Sequence, residues 1–184
     1  MNLTVARLPP TTHAVLCYEN TETARQVLMS YLNGARERNE AVHILSSSLK
    51  SLDVFLQSIG LHTPFEEERT KCIEVDKFCS EGINYEKAMV LAKPTLDAVR
   101  RWGSNGLRIF ALANDYLDYV TPEEVLQFES QMGNRFSIPV TGICAYDLVD
   151  ARAGWDRILL DLLKAHGVHV FQGLAGSDEE GILE

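Results

Sequence analysis

With 184 residues, 46% hydrophobic and 23% charged, the chain has the composition of one soluble globular domain, 1–184. Its formal net charge of −9 lacks the basic footprint of a phosphate-backbone binder, so nucleic acid is not an expected partner. No apolar run reaches the roughly 18 residues of a helical membrane span, and MNLTVARLPP has no basic-then-apolar leader, so a cytoplasmic location without membrane contact is expected.

Residues 1–12 read as an irregular lead-in, because Pro9-Pro10 stops a helix. His13–Glu19 reads as the first strand. Asn20 or Thr21 then caps a helix whose Ala24, Val27, Leu28, Tyr31, Leu32 and Ala35 fall on one apolar face. Ala41–Leu45 is a second strand. Ser46-Ser47-Ser48 caps a helix ending near Ile59, with Gly60 as its stop. His62–Thr70 is acidic and irregular, Lys71–Val75 is a short third strand, and Asp76–Tyr85 reads as a loop or small insertion.

A helix from about Glu86 to Trp102 is expected to kink or divide at Pro94. Leu107–Leu112 is the fourth strand, ending in Ala113-Asn114-Asp115. Thr121, Pro122 and Glu124 spell a capping box for a helix to Met132. Ile138–Asp147, IPVTGICAYD, is a buried strand whose end carries a thiol, a phenol and a carboxylate. Gly154–His166 is helical, with Trp155, Ile158, Leu159, Leu162, Leu163 and His166 on one face. Val168–Phe171 is a sixth strand, and 173–184 is an acidic tail expected to be mobile.

Strands alternating with helices imply a three-layer α/β sandwich around a mostly parallel central sheet of five to six strands, with right-handed crossovers. In such sheets ligands bind outside the carboxyl ends of the strands. Two strands end in similar polar clusters there, Cys17-Tyr18-Glu19 and Cys144-Ala145-Tyr146-Asp147, and this pairing points to a ligand site. The common signatures are missing: there is no GxxxxGK[ST], GxGxxG, GxSxG or HExxH. Glu19 and Glu22 follow the first strand, where a triphosphate would need bare backbone N–H groups.

Each candidate has a plain reading beside the functional one. His13 is a strand-edge polar residue or a site member. Arg108 lies in an apolar strand and needs a carboxylate, for which Glu129 and Asp147 are the candidates, either as a structural pair or beside an anionic ligand. His166 is a packing histidine or a group poised at a helix C-terminus. Asp147 caps a turn or faces a ligand. Cys17, Cys72, Cys79 and Cys144 form no CxxC and read as reduced thiols. Cys17 and Cys144 would need His13 or His166 beside them to hold a metal. Cys144, His166 and Asp147 have the residue types of a nucleophile, base and orienter, at no known spacing.

The set His13, Tyr18-Glu19, Gly106-Leu107-Arg108, Phe128-Glu129, Ile143-Cys144-Ala145-Tyr146-Asp147 and Leu162–His166 resembles the MEDS domain family. These are sensory domains of methanogens and methylotrophs, typified by the dichloromethane-dehalogenase regulator. The resemblance runs from His13 to about Gly173 and implies a RecA-like fold, without a phosphate-binding loop, that senses small molecules such as hydrocarbon derivatives. Members often have Pro after the last histidine, where this chain has Gly167. They are commonly fused to a kinase or a helix-turn-helix, for which this chain has no room.

The reading that results is a non-catalytic, small-molecule-binding sensory or regulatory domain with no cofactor and no metal. Its ligand-binding residues are His13, Tyr18, Glu19, Arg108, Glu129, Cys144, Tyr146, Asp147 and His166. Its output passes to a separate signalling protein or through a homo-oligomer. The alternatives are residual RecA-like nucleotide binding, or an interaction module using Tyr116, Tyr119 and Phe128 as an exposed apolar patch.

Overall fold

Asn20 ends one element and starts the next. Its side-chain oxygen accepts the Thr23 N–H at 2.8 Å, so β1 (His13–Tyr18) turns directly into α1 (Thr21–Glu37). β2 (Ala41–Ser46) leads to α2 (Leu49–Ser58), where the Ser48 hydroxyl accepts the Ser51 N–H at 3.0 Å. β3 (Thr70–Glu74) follows. α3 (Tyr85–Arg101), capped by Asn84, runs undivided through Pro94. β4 (Leu107–Leu112) gives way to a 3-10 segment, Ala113–Asp118, and then to α4 (Pro122–Met132), which has the expected Thr121–Glu124 capping box.

β5 (Val140–Asp147) completes the inner sheet. The helix expected over Gly154–His166 is in two parts. Gly154 has a left-handed φ of 54°, followed by a 3-10 turn, Trp155–Arg157, and then by α5 (Leu159–Ala165). β6 (Val168–Gln172) and a further strand, β7 (Glu180–Leu183) within the acidic tail, close the chain. The computed structural model describes residues 5–58, 70–75, 79, 82–150, 154–172 and 180–183. The expected stop at Gly60, nearly all of the acidic His62–Thr70 stretch and much of the Asp76–Tyr85 insertion lie outside them.

The sheet order is β3-β2-β4-β5-β1-β6-β7. Every pairing among β1 to β6 is parallel, and β7 runs antiparallel to β6. This is the three-layer α/β sandwich with a mostly parallel, RecA-like sheet. Side chains of a strand alternate between faces. Ala14, Leu16, Ile44, Phe110 and Ile143 pack with Leu28 and Tyr31 of α1 and Leu52 of α2. The opposite parity, Val15, Ala111, Cys144 and Tyr146, packs with Val125 of α4 and Leu162 of α5. Leu107 and Val140 meet Leu96 and Val99 of α3 on that same side. Chain direction explains the split, because right-handed crossovers running toward β3 and back from it put helices on opposite faces. Tyr116 and Phe128, expected in an exposed patch, are buried, and Tyr119 alone of the three is exposed.

Arg108 is fully buried and takes a carboxylate, as its place in an apolar strand requires, but the carboxylate is Glu40 rather than Glu129 or Asp147. Its Nε donates to Glu40 Oε2 at 2.6 Å, Nη1 to the Tyr31 carbonyl at 3.2 Å and Nη2 to the Ala6 carbonyl at 2.9 Å. Arg108 shares the α1 side of the sheet with Phe110, near the amino end of β4. Glu129 hangs from α4 on the other side, and Asp147 ends β5 at the opposite edge. Glu40 sits in the α1–β2 turn, beside β4's neighbour. The pair also holds the lead-in, whose Ala6 carbonyl lies where a Cβ on Gly34 would come within 2.1 Å.

Two outcomes follow from this packing. Arg108→Ala removes the buried partner of Glu40, leaves it only the more exposed Arg38 at 3.6 Å, and should cost about 3–5 kcal/mol in urea unfolding. A loss under about 0.5 kcal/mol would make Arg108 an ordinary surface residue. His43, buried on β2 opposite Lys71, has its imidazole pushed down from 6.5 to about 4, by burial first and then by the Lys71 charge. Between those values the unfolded chain binds more protons, so this contribution to stability is full above pH 6.5 and is lost as pH falls toward 4. His43→Leu should therefore flatten the decline of unfolding free energy across that window, and an unchanged slope would contradict the shift.

Candidate functional site

Strand alternation sorts the candidate residues into two places. Tyr18 and Asp147 are register partners at the carboxyl ends of β1 and β5. β1 sends its following helix to one face while β4 and β5 send theirs to the other, so the exits diverge and leave a crevice. A recess of about 170 Å³ lies there, walled by Tyr18, Phe55, Leu112, Asn114, Asp115, Asp147 and Asp150.

Asn114 fixes its rim. Its Oδ1 accepts the Asp147 N–H at 2.8 Å, and its Nδ2 donates to the Asp147 carbonyl at 3.0 Å and to Asp150 Oδ2 at 3.2 Å. Asp115 Oδ2 accepts the Ser46 hydroxyl and the Ser47 N–H, which ties β4's exit to β2's. The Tyr18 hydroxyl is pushed well above its usual range, by burial first and then by the charges of Asp147, Asp115 and Asp150, so it stays protonated as a donor. The recess thus brings three carboxylates and a phenol together with the side chains of Phe55, Leu112 and Ala145.

The second place is a buried cluster under α4 and α5. His13, Cys144 and Tyr146 share the sheet face opposite Tyr18, and they meet Glu129 of α4 and His166 at the end of α5. All five are buried. Glu129 Oε1 accepts the Tyr146 hydroxyl at 2.7 Å. Glu129 Oε2 lies 3.0 Å from His13 Nε2, 3.5 Å from His166 Nε2 and 3.7 Å from Cys144 Sγ.

Each imidazole is oriented from its other side. His13 Nδ1 is 2.6 Å from the Gly133 carbonyl, and His166 Nδ1 is 2.7 Å from that of Leu162. A carbonyl only accepts, so both Nδ1 atoms carry protons and both Nε2 atoms face the carboxylate. Burial alone would raise the Glu129 carboxyl, yet the imidazoles of His13 and His166 beside it hold it below the ordinary carboxylate range. The Cys144 thiol is pushed well up, by burial first and then by the Glu129 charge. The turn after α5 is close-packed too. The Gly167 N–H donates to the His13 carbonyl at 3.0 Å, and a Cβ there would come within 2.3 Å of the Asn134 carbonyl oxygen. A proline at 167 would forfeit that hydrogen bond.

The nine expected residues therefore do not form one site. His13, Glu129, Cys144, Tyr146 and His166 come together, but inside the molecule rather than at the strand ends. Tyr18 and Asp147 line the recess. Glu19 is exposed and is not among the residues walling it, and Arg108 is committed to Glu40 at the amino end of β4. Cys144, His166 and Asp147 are not assembled as nucleophile, base and orienter. Asp147 belongs to the other face, its Oδ1 accepts the Val149 N–H, and Glu129 stands beside the histidines instead. Asn114, Asp115 and Asp150 were missed as site residues. Applying the strand-end rule to β4 as well as to β1 and β5 points to the first two.

The parallel sheet with its polar strand ends is a RecA-like layered fold, and its β1–α1 turn carries no GxxxxGK[ST] run. Residues 12–167 match MEDS, described as the methanogen/methylotroph, DcmR sensory domain. The chain belongs to this family of sensory domains. No curated protein matches it. It is similar in fold to a protein from Pyrococcus horikoshii OT3 solved in a structural study, with a TM-score of 0.56 and 12% identity over 89% of this chain and 82% of that one.

Tyr146→Phe removes one donor from a fully buried carboxylate and should cost about 1.5–3 kcal/mol, the range for a hydrogen bond to a charged group. Chemical denaturation checks this, and a change within about 0.5 kcal/mol would show that Glu129 does not depend on the phenol.

Proposed function

We propose that this sensory domain takes a small organic ligand in the recess at the carboxyl ends of β1, β4 and β5. The supporting observation is the recess itself, at the point where the connections reverse, with Tyr18, Asp115, Asp147 and Asp150 converging over Leu112 and Ala145. About 170 Å³ suits a compact molecule of a few heavy atoms rather than a nucleotide. Carboxylates favour a cationic or hydroxyl-bearing end and repel anions, and Phe55, Leu112 and Ala145 can flank a short hydrocarbon body. These features fit the sensing of small hydrocarbon derivatives that the family's character suggests, with signal output through a separate protein or a second copy of the chain.

A thermal-shift panel of small amines, alcohols and short hydrocarbon derivatives tests the reading. A true ligand raises the Tm progressively with concentration. Tyr18→Phe and Asp150→Asn should each weaken that rise while leaving the ligand-free Tm nearly unchanged. A panel with no stabiliser, or a rise indifferent to both substitutions, would remove the recess as the site. Tight binding of ATP with magnesium would favour residual nucleotide binding instead.

A further inference from the structure

We propose that His13, Glu129, Cys144 and His166 form a closed four-ligand site for a divalent transition-metal ion, with zinc as the best fit to the donors. The one ligand atom offered by each lies within 4.8 Å of all the others. With metal–ligand bonds of about 2.0–2.3 Å, the donor–donor edges of a tetrahedron come to about 3.3–3.7 Å. Four of the six edges here are 3.0 Å (His13 to Glu129), 3.5 Å (His166 to Glu129), 3.6 Å (His13 to Cys144) and 3.7 Å (Cys144 to Glu129), and the two from His166 to His13 and to Cys144 lie within 4.8 Å.

The orientation of the histidines is a separate observation. Both Nδ1–H groups are spent on main-chain carbonyls, which leaves both Nε2 atoms to point at one spot. A second group that fixes the far nitrogen in this way is the usual companion of a metal-bound imidazole. His166 Nε2 is fully buried and has no hydrogen-bond partner among the described residues. Glu129 is anchored likewise, its far oxygen held by Tyr146. A neutral imidazole lone pair 3.0 Å from a carboxylate oxygen is repulsive unless a proton or a cation lies between them.

Charge and donor type select the ion. A thiolate, a carboxylate and two neutral imidazoles around M²⁺ sum to zero, the condition under which buried charge is tolerated. On binding, the Cys144 S–H bond breaks, an S–metal bond forms and the proton leaves to solvent, with no change of oxidation state. Mixed imidazole and thiolate donors favour zinc or cobalt over magnesium or calcium, and four protein ligands leave no open position for a substrate. Such an ion would tie β1, β5, α4 and the end of α5 together. The groove between α4 and α5, bordered by Gly133 and Ala165, lies next to the cluster and is the natural side for access.

The test uses the full chain. Protein purified from zinc-supplemented cells should contain about one zinc per chain by elemental analysis. Removal by a chelator should lower the Tm, and zinc should restore it. Reloading with cobalt(II) should give the visible bands of a tetrahedral ion and a near-ultraviolet thiolate-to-cobalt band. Cys144→Ser should abolish the latter, while Cys17→Ser leaves it intact. If Cys144→Ser fails to fold, Tyr146→Phe keeps all four ligands and should bind cobalt about 10–100-fold more weakly with the same spectrum. A folded chain that takes up neither metal in excess, or cobalt bands unchanged by Cys144→Ser in folded protein, would overturn the proposal.

Discussion

The carboxylate of Glu129 is the constraint around which this molecule is arranged. It is completely buried, and an ionised group there is tolerable only with partners. Those partners come from β1, β5 and the end of α5, while Glu129 itself comes from α4. Helices α4 and α5 consequently cannot shift on the sheet without exposing an uncompensated charge. The glycine at 167 belongs to the same requirement, since only a residue without a side chain lets the chain turn from His166 into β6 against the Asn134 carbonyl.

A second buried charge does the corresponding work on the other side of the sheet. Arg108 collects Glu40 and the carbonyls of Ala6 and Tyr31, and so joins the lead-in, α1 and the α1–β2 turn to β4. The two centres differ in what surrounds them. Around Arg108, Nε, Nη1 and Nη2 each donate to an oxygen of the protein. Around Glu129, two imidazole nitrogens, a thiol and a carboxylate oxygen converge, and one of the nitrogens has no hydrogen bond among the described residues.

β5 carries both the recess and the cluster on alternating residues. Ala145 and Asp147 face the recess, while Cys144 and Tyr146 face Glu129. The cluster and the recess are thus neighbours across a single strand of the sheet.

Much of this was legible from local chemistry. Asn20, Ser48 and the Thr121–Glu124 box start helices because a side chain there satisfies an N–H only a few residues away. The alternation of strands and helices already implied the parallel, layered sheet, and the motif set from His13 to His166 already pointed to the family. What stayed hidden depended on groups far apart in the chain. Glu40 reaches Arg108 across 68 positions, and His13 reaches Glu129 only because the sheet order sets β1 beside β5 beneath α4. The residues of CAYD read as one cluster in sequence, but a strand turns its neighbours to opposite faces, so only the folded sheet could send Cys144 and Tyr146 inward and Asp147 to the recess.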